Sequence, residues 1–216
     1  MIPERFVAEY PQRCIALLEM FEPMARAERL MGSFSLLVAS AVFVIPYERM
    51  QETHPLNRRG RVADLDNALR RLDKRELFLE AKFWDRADPG EWRFSRIMAN
   101  QNDTMCWVDE DGIHPMAPQA TNSMGSRKAG LVLRVVRNAL AHGNVVYLNA
   151  AGFEQRHTEV QYLGFLARYE ECKEQRKVSE TYRLVVTTDE NFFRFVKAWA
   201  TWIASFRLDT SLSEAA

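Results

Sequence analysis

Between Asp189 and Phe206 the chain repeats Phe192, Phe195, Val196, Trp199, Ile203 and Phe206 at spacings of three and four. A helical period places all six on one face. A helix of this length draws most of its stability from burying such a face, so the aromatic surface needs partners. The chain is thereby committed to a core built around a C-terminal helix at about 189–206. The preceding "TTDE" offers a capping box from Thr187 to Glu190. The same spacing assigns Trp199 and Trp202 to the core or to a subunit interface rather than to stacking on bases.

Earlier segments supply what this helix packs on. "QRCIALLEMFEPMARAERL" carries Ile15, Leu18 and Phe21 at helical spacing, with Pro11 able to start it and Pro23 kinking or dividing it. A long apolar helix is expected from about Ser33 to Gln51. Val62, Leu65, Leu69 and Leu72 then form one stripe among charges, as a surface helix does. Residues 85–126 hold Pro89, Pro115 and Pro118 and no sustained period, which predicts a long irregular insertion with short helical pieces. After a helix beginning near Arg127, "NVVYLN", "EVQYLGFLARYE" and "TYRLVVTT" are rich in β-branched and aromatic residues. They predict a small β region over about 144–188, the second segment being open to a helical reading. The expected fold class is mainly α: one domain over 1–216, a helical bundle carrying a small β-strand appendage.

Composition narrows the function classes. With 216 residues, 47% of them hydrophobic, the chain can bury one substantial core. Basic and acidic residues balance at 29 each, so a nucleic acid would have to be held by a local patch. Cys14, Cys106 and Cys172 are scattered and show no zinc-ligand spacing, which fits a reducing cytoplasm. The uncharged run Leu30 to Ile45 is shorter than the ~18 to 20 apolar residues of a membrane span, so a buried helix and no membrane partner are expected. The first residues lack the apolar core of a secretory signal.

The stretch "RVVRNALAHGN", Arg134 to Asn144, holds the strongest chemical signal. On a wheel turning about 100° per residue, residues 131–133, 135, 136, 139 and 140 fill an apolar arc of roughly 200°. The remaining strip holds Arg137 at one edge and His142 at the other, with Arg134, Asn138 and the small Ala141 between them. Gly143 can take the left-handed conformation that ends a helix, leaving His142 in the last turn where the macrodipole favours a protonated ring. A histidine there can exchange protons near neutrality, and an arginine offers forked donors to phosphate oxygens. Metal-independent RNA cleavage needs those two groups: one to move a proton as a 2′-hydroxyl attacks the adjacent phosphate, one to stabilise the charge that develops. Asn138 sits one turn before His142 and is placed to orient the ring or bond the ribose, while Arg134 is placed to bind RNA. The residue types alone also describe an ordinary solvated helix end with a carbonyl-capping histidine. The chain repeats the same spacing in Arg49 and His54, flanked by Pro46 and Pro55 and without the asparagine; that pair is read as chance.

"RNALAH" resembles the signature of the HEPN superfamily: arginine, a polar residue, three positions, histidine, near the end of a bundle helix. The wider "RNALAHGNVVYLN", followed by short strands and an aromatic helix, resembles a plasmid-associated HEPN subfamily over about Gly130 to Phe206. The resemblance implies a helical bundle that dimerises so that two motifs face one cleft. It also implies a metal-independent ribonuclease of toxin-antitoxin or defence systems, needing no cofactor, acting on RNA and in some systems held by an antitoxin. Carried over, Arg137 would bind phosphate, His142 would act in proton transfer and Asn138 would support them. The long 85–126 insertion and the strands depart from the simplest pattern, and some members serve only as binding modules.

Other signals are weaker. "NRRGR" with Arg70 and Arg71 reads as a solvated basic face that would guide RNA only if the chain is a nuclease. Glu154 and His157 have a di-metal spacing but no second motif, and "VDEDG" lacks the ligands of a calcium loop and reads as a turn.

Overall fold

In the computed structural model, which describes residues 4–49, 63–85, 87–98, 103–168 and 181–206, helix α6 (Asp189–Ala204) lies where its aromatic stripe requires. Phe192, Phe195, Val196, Trp199 and Ile203 are buried, and Phe43 packs edge-on against Phe195 and Trp199 at ring separations of 5.3 and 5.2 Å. Its N-terminus is capped one residue later than the sequence suggests. The Thr188 hydroxyl accepts from the Asn191 N–H at 3.1 Å, while Thr187 donates to the Glu91 carbonyl at 2.8 Å.

Helix α1 (Glu4–Ala27) runs unbroken through both Pro11 and Pro23, so neither proline starts or divides it. Each proline removes one ladder bond. Burial of Cys14, Leu18 and Ala25, with α1 packed along α6, offsets that loss. Phe21, expected inside, is exposed. The long apolar helix is found as α2 (Met31–Ala39), a wide π-turn at Ser40–Val44 and α3 (Ile45–Arg49). The wide turn comes just before Pro46, which has no N–H for the ladder. Helix α4 (Ala63–Lys74) buries Leu65 and Leu72; Val62, "NRRGR" and His54 fall outside the described residues.

Among the described residues four strands form an antiparallel sheet in the order β1-β4-β3-β2: β1 (Trp92–Ile97), β2 (Val145–Leu148), β3 (Tyr162–Arg168) and β4 (Tyr182–Thr188). The last three are the strands expected, the second of them as strand rather than helix. Strand β1 lies inside the insertion expected to be irregular, which has short helical turns at Thr104–Cys106 and Met124–Ser126 as well. The "VDEDG" turn forms as expected: the Asp109 carboxylate accepts from the Asp111 and Ile113 N–H groups, both at 2.9 Å.

The sheet is not an appendage. Its inner face, with Trp92, Phe94, Leu163, Phe165 and Val185, belongs to the same core as α6 and the helices around it. Its outer face, with Ile97, Leu148, Leu184 and Val186, is covered by Trp107 and Met116 from the insertion. The architecture is therefore mixed helix and sheet around a shared core rather than a bundle with strands added on. Among the described residues no helix is long and apolar enough to cross a membrane.

Candidate functional site

Helix α5 (Ala129–His142) lies across the inner face of the sheet, against β3 and β4, and is flanked by α4 and the π-turn. Its burial follows the wheel. Val132, Leu133, Val135, Val136 and Ala139 are buried; Arg134, Ala141 and His142 are exposed; Arg137 and Asn138 are half-buried. Near its start Gly130 touches α4 so closely that a Cβ there would come within 2.5 Å of the Asp73 Cα, which sets how near the two helices stand. At its end Gly143 adopts φ 70°, ψ 21°, and the Gly143 and Asn144 N–H groups both bond the Ala139 carbonyl. That left-handed cap turns the chain directly into β2 and leaves His142 at the rim.

The strip sets two held cations beside an imidazole that is exposed among the described residues. Arg137 donates from Nε to Glu48 Oε1, an ion pair reaching from the end of α3, and from Nη1 to Asn138 Oδ1 at 2.6 Å. Its Nη2 bonds none of the described residues, and it shares a guanidinium edge with the Nε that holds Glu48. Arg134 donates from Nη2 to Asp73 Oδ1 at 3.1 Å, an exposed pair across α4 and α5. The His142 ring is exposed and bonds no described residue.

All four expected side chains lie on α5, with Arg134 bonded to the Asp73 that Gly130 touches near the helix start and the other three nearer its end. Asn138 steadies Arg137, not the His142 ring. Arg134 is engaged by the Asp73 carboxylate in an exposed pair. Sequence reasoning missed Glu48 and Asp73, which meet the strip only through helix packing; Glu48 is the neighbour of the discounted Arg49. Glu154 and His157 sit in the loop between β2 and β3 and not on a helix. No group of three or more metal-ligating side chains occurs among the described residues.

Chemically, the guanidinium has donors that Glu48 and Asn138 leave over for a phosphate oxygen, and the solvent-facing imidazole can take or give a proton. No family model, curated protein or solved structure matches this chain.

Proposed function

We propose that this chain is a metal-independent endoribonuclease of HEPN type, working in the cytoplasm as a homodimer whose two α5 ends share one cleft. The observation that carries this reading is an exposed imidazole that bonds no described residue, on the same helix face as an arginine held by Glu48 and Asn138. The resemblance of "RNALAH" to the family signature supports it as well; because the fold is mixed, the reading leans on the site and not on a bundle. In the reaction a 2′-hydroxyl loses its proton and attacks the adjacent phosphorus, the bond to the 5′-oxygen breaks, and that oxygen gains a proton. A 2′,3′-cyclic phosphate and a 5′-hydroxyl result. His142 moves a proton, Arg137 neutralises the developing phosphoryl charge and Asn138 positions Arg137. No cofactor enters. A role as toxin or defence effector, with a protein antitoxin, follows from the same resemblance.

The ion pairs on Arg137 and Arg134 favour a second reading, a non-catalytic dimer that binds RNA, a nucleotide or a partner protein in this cleft. Incubation of the purified protein with RNA in chelator tests both. Cleavage lost in His142→Ala and in Arg137→Ala is the expected result. Cleavage that persists in both overturns the assignment, and intact RNA whose binding is lost in Arg137→Ala selects the second reading.

A further inference from the structure

We propose that a second copy of this chain docks on the apolar face formed by α1 and the α2–α3 helix, an inference that rests on the homodimer reading and names its surface. Leu17, Met20, Phe21 and Met24 on α1, with Leu30 and Leu37 on or beside α2, are between 42% and 74% exposed. They line or adjoin a groove of about 500 Å³ between the two helices, whose single charged lining residue among those described is Glu28.

Area and symmetry select the occupant. At roughly 200 Å² of accessible surface per large side chain, these six expose on the order of 700 Å². The largest apolar patch on a typical monomer is about 300–600 Å². Two such faces together would bury about 1,400 Å², within the ~1,200–2,000 Å² of a standard stable interface. A two-fold contact sets each residue against its own surface, so a centre with little charge of either sign is what it tolerates. The α1 residues recur at i, i+3, i+4 and i+7, a stripe that interdigitates with its own copy, and the two methionines adapt to uneven contact. The face also runs toward the candidate site. Leu30, Leu37 and the exposed Ile45 follow one another at seven and eight residues, and Ile45 lies one turn before Glu48, the partner of Arg137.

Light scattering on the full chain tests this, with Met24→Glu combined with Leu37→Glu and, should that pair fail to fold by circular dichroism, Leu17→Lys combined with Met20→Lys. The wild type is expected to be dimeric and the folded double variant monomeric. A wild type that stays monomeric at concentrations on the order of 100 µM overturns the proposal, as does a double variant that stays dimeric. A monomeric wild type that sediments with phosphatidylcholine vesicles overturns it in favour of a lipid surface. His142→Ala separates this surface from the nuclease reading: it should remain dimeric whether or not the wild type cleaves RNA. A folded, monomeric surface variant with undiminished cleavage would leave the surface standing and overturn the shared cleft.

Discussion

Arg137 sits between two oxygens that belong to different parts of the chain, Glu48 from 89 residues earlier and Asn138 next to it. The Glu48 pair is only partly shielded, the two side chains being 28% and 38% exposed, so it contributes about 1 kcal/mol or less to stability. A charge-assisted bond to phosphate is worth roughly 1.5–3 kcal/mol, enough to draw the guanidinium outward. Glu48→Gln keeps an acceptor for Nε but removes a negative charge beside the incoming phosphate. Its expected effect is several-fold tighter binding of an RNA blocked at the 2′ position, read by fluorescence anisotropy, with unfolding free energy changed by no more than about 1 kcal/mol; weaker binding would make Glu48 a brace that RNA needs. The strip itself was legible from the turn of a helix alone. Glu48 and Asp73 were not, because an ion pair between helices far apart in sequence leaves no local period.

At the level of elements, α1 and α6 are joined by a charged clamp over Phe193. Arg26 bonds Glu22 and Glu190, and Lys197 bonds Glu22 at 3.1 Å. Hydrogen bonds from Arg26 hold the Glu190 carboxyl below the usual glutamate range, in spite of partial burial. A carboxyl lowered by folding adds stability above its ordinary range and loses it as the pH falls through the lowered value. Thermal unfolding is therefore expected to move to lower temperature as the pH drops below about 4, and Glu190→Gln should make that drop shallower in a calorimetric series. Burial pushes the neighbouring Asp189 carboxyl up, a term of opposite sign that leaves the clamp as the source of acid sensitivity. Elements with a sustained period, α5, α6 and the three later strands, were readable in advance. Strand β1 was not: "WRFSRI" has one β-branched residue in six and follows Pro89 and Gly90, and it is a strand because β4 supplies its ladder. Helix α1 likewise passes through its prolines because packing on α6 overrides local preference.

At the scale of the whole molecule, the described residues share one main core spanning helices and sheet, with the insertion sealing the sheet's outer face. Unfolding followed by far-ultraviolet dichroism and by tryptophan fluorescence should give coincident transitions, as a single cooperative unit does. Trp107→Ala, which uncovers that outer face, is expected to cost about 3–5 kcal/mol in denaturant titration. A value under 1 kcal/mol would mean the insertion is only loosely laid on the sheet. Strand β1 sets a timetable for synthesis. Trp92–Ile97 pairs as a strand with Tyr182–Thr188, so at ~5–20 residues per second an emerging chain holds that edge without its ladder for roughly 4–18 s, while Asn122 and Ser123 reach the Trp92 and Phe94 backbone sooner. During that wait the half-made protein presents a sticky edge to its surroundings, and its yield in cells should depend on chaperones that bind nascent chains.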